Sequence, residues 1–400
     1  MVIFNIIQIV ILTLLGLATL YFLIFSVAGV FYNEKKYSDN GKTKKIAVFI
    51  PGYKEDSVIV EIAKKALEQD YPSQFFDVIV IADSFQEKTL KSLKELPIKL
   101  IEVSFKKSTK SKALNKAMDI LKEQYEIAIV LDADNIMEKT FLKKMNAAFE
   151  NDYYAVQGHR TAKNLNNSWA ILDAVSEEIN NNIFRRGHRV LGLSSAIIGS
   201  GVAFKYDYFK SLMAKAKAVG GFDKELELMM LKKGHKIMYL HNAMVYDEKV
   251  QKPEVFQNQR RRWLAAQFHY FKQGLLSSIR DLFLKGNVDY FLKIIQFGQP
   301  PRVLLLGAIL GFTPLFLIVN FLLQNQLSYS INWIVICATC VLAFVLSIPK
   351  KFYNSGTLRA LVSLPKGIVL MLLSLLKIKG ANKTFIHTQH DTVAENMVKK

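Results

Sequence analysis

Cysteine is nearly absent from this chain of 400 residues, which holds only Cys337 and Cys340. Two cysteines exclude a disulfide framework. Their spacing is that of a redox or zinc pair, but both lie inside the apolar run 331–348, where a free thiol acts as a small packing residue. Acidic residues are also scarce: 34 Asp and Glu stand against 53 Lys and Arg, a formal net charge of +19. The basic residues are spread among carboxylates and gather beside apolar runs, which suits anionic lipid headgroups and argues against nucleic acid as a partner. A third absence is at the start, where no Lys or Arg precedes the apolar stretch 2–32. A cleaved secretory leader has a basic start and a shorter apolar core, so residues 1–32 read as a retained transmembrane anchor.

What the chain does contain is long apolar runs, with 51% hydrophobic residues. Lys35, Lys36, Lys42, Lys44 and Lys45 follow the anchor and place the following chain in the cytoplasm. Runs 303–323 and 331–348 read as further spans, joined by a loop without Lys or Arg. The run 358–376 is interrupted by Pro365 and Lys366 and followed by more lysines. It reads as interfacial or re-entrant, because crossing would carry that charge outside and make a fourth span. In 253–299, Leu282, Phe283, Phe291, Ile294 and Ile295 alternate with Arg280, Lys285 and Lys293, as in a helix lying on a membrane. The expected plan is a cell-membrane, multi-pass chain: anchor 1–32, cytoplasmic domain 45–250, interfacial helices 251–300, transmembrane or interfacial helices 301–378, and a cytoplasmic tail 379–400.

Within the domain, short β-branched runs at 46–50, 78–81, 98–103 and 127–131 alternate with helical spacing at 57–69, 86–96 and 111–124. This predicts a doubly wound α/β half with a mostly parallel sheet, in which ligands collect at the C-terminal strand ends. A strand at 153–156 and a polar helix at 168–184 begin a mixed second half. The run 127–131 ends in Asp132-Ala133-Asp134. Two carboxylates this close repel without a cation; they offer hard oxygen ligands to Mg²⁺ or Mn²⁺, leaving positions for diphosphate oxygens. An Asp-capped turn ahead of Glu138 would carry the same residues. The first strand runs into Pro51-Gly52-Tyr53-Lys54-Glu55 and the second into Asp83-Ser84, an aromatic face and carboxylates that suit a nucleotide base and ribose.

With the later motifs, the pattern over 46–263 resembles glycosyltransferase family 2, in its membrane-integrated branch of cellulose, chitin and hyaluronan synthases. The matching residues are Pro51, Tyr53 and Glu55; Asp83; Lys112-Ala113-Leu114-Asn115; Asp132 and Asp134 as a DxD motif; Val156-Gln157; Gly199-Ser200-Gly201; Glu225-Leu226-Glu227-Leu228; and Gln259 with Arg262 and Trp263 as a QxxRW motif. The resemblance implies an α/β fold, a GT-A-like doubly wound mixed sheet domain with N-terminal and C-terminal transmembrane helices. It implies an inverting, metal-dependent hexosyltransferase that moves a sugar from a nucleotide-sugar, expected to be a UDP-sugar, to a polysaccharide or lipid-linked glycan acceptor. Pro51, Tyr53, Glu55, Asp83, Lys112, Asn115, Asp132, Gln259, Arg262 and Trp263 would then bind the nucleotide-sugar. Asp132 and Asp134 would hold Mg²⁺ or Mn²⁺, and Gly199, Ser200, Gly201 and Trp263 would meet the acceptor.

The family carries a Glu-Asp pair where this chain has Lys224-Glu225, so Glu225 is expected as the general base, with Asp223 as the alternative. The segment around Phe385, His387 and His390 resembles the family's nucleotide-contacting gate. Expected partners are the donor, the acceptor and membrane lipids, with a homo-oligomer or export partner left open. Two other readings stand beside this one: a non-catalytic membrane-anchored nucleotide-binding scaffold on the same fold, and a single-transfer enzyme in place of a processive one.

Overall fold

A computed structural model describes residues 1–35, 37, 41–217 and 220–377. The first apolar run forms one helix, α1 (Val2–Val30). The β-branched runs form β1 (Ile46–Tyr53), β2 (Phe76–Asp83), β3 (Lys99–Val103) and β4 (Ile127–Val130), which pair parallel in the order β3-β2-β1-β4. The sheet continues through β7 (Val202–Lys205), β6 (Ala155–Ala162), β8 (Ile237–Asp247) and β5 (Ile136–Met137). β7 is antiparallel to both β4 and β6, so the sheet is mixed. Residues on both faces of β1 and β4 are buried, which is why these strands read as unbroken apolar runs.

One face packs beneath α4 (Lys110–Ile120), α8 (Tyr206–Met213) and α9 (Phe222–Lys232), through Leu114, Met118, Phe209, Leu226 and Met230. The other packs beneath α2 (Ile59–Leu67), α3 (Glu87–Lys94) and α5 (Phe141–Ala148), through Ile62, Leu93 and Leu142. In register, Tyr53 lies opposite Asp83 and Phe49 opposite Val130. The C-terminal ends of β1, β2 and β4 therefore finish at one sheet edge, as the doubly wound reading requires.

α6 (Ser168–Asn180) runs through a π-helical turn at Asn181–Gly187 into the short α7 (His188–Val190). The amphipathic stretch is two helices, α10 (Pro253–Lys285) and α11 (Val288–Gly298), divided at Gly286 with its left-handed φ of 62°. Lys293 does not lie on an outer polar face as its spacing suggested. It is buried against Glu227 at 2.8 Å, a cation kept inside by a carboxylate on α9. Leu276, Phe283 and Leu284 do face outward on α10.

α12 (Arg302–Leu322) and α13 (Leu327–Leu346) follow, then α14 (Ser355–Ala360), a 3₁₀ turn and α15 (Leu364–Leu376). Both thiols sit in α13 and are free. Among the described residues, four helical stretches are long and apolar enough to cross a membrane: Val2–Val30, Arg302–Leu322, Leu327–Leu346 and Ser355–Leu376. The last of these is divided by the 3₁₀ turn at Leu361–Ser363, and Pro365 stands just beyond it in the first turn of α15, where no intrahelical N–H is needed.

α1 is held to the domain by close backbone approach. A Cβ on Gly187 would strike the Phe25 carbonyl oxygen, and one on Gly29 would come within 2.7 Å of the Asn182 carbonyl oxygen. Asn182 Nδ2 also donates to Ser26 O at 3.1 Å and to Ser347 Oγ at 3.0 Å, tying α1 to the end of α13. Gly187→Ala is therefore expected to destabilise the detergent-solubilised protein by about 1–3 kcal/mol. Gly311→Ala, at a helical position with no atom within 4 Å, should leave the thermal unfolding midpoint in place. Equal midpoints for the two variants would show that α1 does not dock as described.

Candidate active site

At the tips of β1 and β2 the chain turns through left-handed backbone, with φ of 56° at Lys54 and 61° at Ser84. Lys54 N donates to Asp83 O at 3.1 Å, and Ser84 Oγ donates to Asp83 Oδ1 at 3.0 Å, which fixes a buried Asp83 beside Tyr53 and Glu55. Pro51 lies beyond the last β1 residue paired with β4, so its missing N–H breaks no ladder. Phe85, which no motif marked, lies over Gly52, where a Cβ would come within 2.6 Å of its ring. These turns bring Pro51, Tyr53, Glu55 and Asp83 together at one edge.

The tip of β4 carries the paired carboxylates. Asp132 N donates to Ser200 Oγ at 2.9 Å. Asp134 is 3% exposed, and its Oδ2 accepts from Glu248 N at 3.3 Å. The Asn135 amide nitrogen donates to Asp134 Oδ1 and to Asp247 Oδ1, each at 3.0 Å, while its oxygen accepts from Ser200 Oγ at 2.6 Å. Buried Gln157 braces the loop from behind: its Nε2 donates to Ser200 O and Gly201 O at 3.1 Å, and its Oε1 accepts from Ile198 N at 2.9 Å. Gly201, with φ of 63°, has no room for a side chain against Val245. The Gly199-Ser200-Gly201 loop thus supports the Asp132–Asp134 turn, with the Ser200 side chain fully buried.

The lysine that lies against Asp132 is Lys110, and Lys112 points elsewhere. Thr109 caps α4 by accepting from Lys112 N at 3.2 Å, so Lys110 stands at the helix start, nearest the sheet edge. Its Nζ lies 2.5 Å from Asp132 Oδ1 and 2.6 Å from Gly199 O. Lys112 Nζ instead donates to Lys107 O at 3.0 Å, and Asn115 Nδ2 donates to Met213 O at 3.0 Å, both away from the carboxylates. An ammonium held at Asp132 shows that this place favours a cation, and its donors are hard oxygens suited to Mg²⁺ or Mn²⁺. Among the described residues no group of three or more His, Cys, Asp and Glu converges on a metal position, so any ion here would draw other ligands from phosphates and water.

Behind Asp132 lies a buried charge network that sequence reasoning missed. Arg160 Nη1 stands 3.9 Å from Asp132 Oδ2 and 3.6 Å from Asp247 Oδ1, and its Nε donates to Glu177 Oε1 at 3.0 Å. Lys249 Nζ reaches Glu177 at 2.5 Å and Asp247 at 2.6 Å. Burial alone would raise the Glu177 pKa, but Arg160 and Lys249 outweigh it and hold the carboxyl well below its ordinary range. Every charge here has a counter-charge, the condition under which buried ions fix geometry.

The start of α9 divides the two candidate bases. Gly221 begins the helix with φ of 73° and abuts Ala266 of α10. Asp223 Cβ lies 3.8 Å from where a Gly199 Cβ would stand, and the adjacent Phe222 ring lies 5.5 Å from Lys110 Nζ, so Asp223 faces the Asp132 side. Glu225 turns to the other flank, where its oxygens accept from Lys217 N at 3.0 and 3.1 Å. On α10, Gln259, Arg262, Trp263 and Ala266 recur at helical spacing, so the QxxRW residues share the face turned toward the α9 start. Burial depresses the Arg262 pKa. Arg260 bonds Asp173 Oδ1 at 2.5 Å and lies 4.6 Å from the Trp263 ring centroid. The gate segment with Phe385, His387 and His390 and the tail 379–400 lie outside the described residues.

These strand tips lie at one edge of a GT-A-like mixed sheet. The family described as Glycosyltransferase like family 2 matches residues 43–266, from just before β1 to just past Trp263. The chain belongs to glycosyltransferase family 2, and it is a glycosyltransferase. Among solved structures it is similar to the mannosyltransferase PcManGT from Pyrobaculum calidifontis, in complex with GDP-Man and Mn²⁺, at 16% identity, covering 85% of this chain and 97% of that one with a TM-score of 0.51. It also matches S. aureus TarS 1-349 at 14% identity, covering 81% and 90%, with a TM-score of 0.40. A comparison with curated protein sequences finds no match.

Proposed function

We propose that this chain is a membrane-embedded, inverting, metal-dependent hexosyltransferase that takes its sugar from a nucleotide-sugar and passes it to a glycan or lipid-linked acceptor. The observation that carries the proposal is the Asp132–Asp134 turn, braced by Gln157 and Ser200 and facing Lys110, at the same sheet edge as Tyr53, Glu55 and Asp83. The similar fold of a mannosyltransferase in complex with GDP-Man and Mn²⁺ supports it.

In this reading Tyr53, Glu55 and Asp83 hold the base and ribose. Lys110, Gln259 and Arg262 hold the diphosphate, and the Trp263 ring edge and Gly199 border the acceptor. Arg262 supplies a forked cation for phosphate oxygens. Asp223 accepts the proton of the acceptor hydroxyl as its oxygen attacks the anomeric carbon and the bond to the diphosphate breaks; a single displacement of this kind inverts the anomeric configuration. A divalent cation held by Asp132 and Asp134 would neutralise charge on the leaving diphosphate.

For the membrane arrangement, α1, α12 and α13 cross the bilayer, and the catalytic domain lies on the cytoplasmic side with the basic residues that follow α1. Ser355–Leu376 lies along the domain: Gly356 faces Ile171 of α6 near one end, and Ser374 Oγ donates to Gln257 O of α10 near the other. Contacts with the domain at both ends of the stretch support the interfacial or re-entrant reading, and Ile368 between them packs against Gly307 of α12. To test the function, membranes carrying the protein are incubated with a panel of UDP-, GDP- and dTDP-sugars and Mg²⁺ or Mn²⁺, and released nucleoside diphosphate is measured. One donor should be turned over in a metal-dependent way; no turnover across the panel, with binding retained, would favour a scaffold.

A further inference from the structure

Between α9, α10 and α11 lies a cavity of about 220 Å³, lined by none of the residues assigned above to the donor. A single water needs about 10–15 Å³ on this measure, so there is room for a sugar unit of about a dozen heavy atoms. Tyr270 reaches into it from α10. The residue is 7% exposed, lines the cavity, and its hydroxyl is hydrogen-bonded to none of the described residues. Burial, then Glu225 and Asp223, push its pKa up, so at neutral pH it keeps its proton as a hydroxyl donor.

The rest of the lining matches a polyol. Ser277 Oγ and Tyr290 Oη stand 2.8 Å apart as a hydroxyl pair, and Gln273 adds an amide. Leu228 and Met229 provide an apolar wall. Glu225 and Lys232 balance each other's charge, which removes the net positive field that a phosphate or headgroup would need. Apolar surface with a few converging hydrogen-bonding groups is the usual construction of a small-molecule site. Its position fits as well, because Glu225, two residues from Asp223 in the first turn of α9, lines it, and an acceptor chain crossing that turn would carry a further sugar into it.

We infer that this cavity is an acceptor-side carbohydrate subsite, holding a sugar of the acceptor beyond the one that receives the transferred unit. The inference rests on the reading of the chain as a transferase with a glycan acceptor. It is tested by saturation-transfer NMR on the detergent-solubilised full chain with maltose, cellobiose, chitobiose and mannobiose as probes. Nucleoside diphosphate binding with Mn²⁺ is followed in the same samples.

At least one disaccharide should bind. Gln273→Trp, an exposed position that can fill the cavity without entering the core, should weaken its binding at least about tenfold, and Tyr270→Phe by about fivefold for one lost hydrogen bond. Nucleoside diphosphate binding should not change in either variant. Failure of all four probes to bind, or disaccharide binding indifferent to Gln273→Trp, overturns the inference. Loss of nucleoside diphosphate binding in the unaltered protein, with disaccharide binding and its Gln273→Trp sensitivity kept, overturns the donor reading and leaves the subsite standing.

Discussion

Asp134→Ala is expected to lower release of nucleoside diphosphate from the donor by at least about a thousandfold, the scale on which charge stabilisation at a leaving group is lost. The position permits a clean control. Asp134 is buried and accepts from Glu248 N and from the Asn135 amide, so Ala leaves both donors unsatisfied at about 1–3 kcal/mol. Asn keeps one acceptor oxygen and most of the shape, removes the charge, and sets its NH₂ against one of the two donors. Asp134→Asn should therefore be destabilised no more than Asp134→Ala and still lose turnover as Ala does. A variant with Asn at full activity would show that the carboxylate serves the fold alone.

The second large effect separates the two carboxylates of α9. Asp223→Asn should lower kcat by about a hundredfold to ten-thousandfold, the usual contribution of a general base. Glu225→Gln should cost less than about tenfold in kcat, because Glu225 faces Lys217 N and the cavity bordered by Tyr270. Initial rates at saturating donor, across a range of pH, measure both. If Glu225→Gln proves the more damaging change, proton acceptance belongs to Glu225 and the α9 start must turn during the reaction.

Much of this sheet edge was legible in the sequence, because a buried parallel strand is a short β-branched run and its end is marked by abrupt polarity. Asp132, Asp134 and Asp83 are read this way, and the register places them at one edge. Lys110 was missed because the Lys-x-x-Asn pattern picks out Lys112, and only the cap at Thr109 determines which lysine starts the helix at the sheet edge. Arg160, Glu177 and Lys249 escaped for a different reason. Glu177 lies 17 residues from Arg160 and 72 from Lys249, separations that no local period reports.

Lys293 shows the limit of amphipathic reading, since its spacing puts it among solvated cations while its partner Glu227 lies on another helix. The two flanks of α9 were likewise closed to sequence reasoning. Whether Asp223 or Glu225 faces the Gly199 loop depends on the left-handed turn at Gly221 that starts the helix. The run 358–376 was read as interrupted at Pro365 and Lys366, and the helix is divided just ahead of them by the 3₁₀ turn at Leu361–Ser363, after which Pro365 stands in the first turn of α15.

The central claim is that Asp132 and Asp134 hold a divalent cation on the donor diphosphate, and Mn²⁺ electron paramagnetic resonance of the purified protein tests it directly. With nucleoside diphosphate present, the protein should bind Mn²⁺ and show hyperfine coupling to ³¹P, and Asp134→Asn should abolish the bound signal. Mn²⁺ binding without phosphorus coupling, or a signal indifferent to Asp134, would contradict the account.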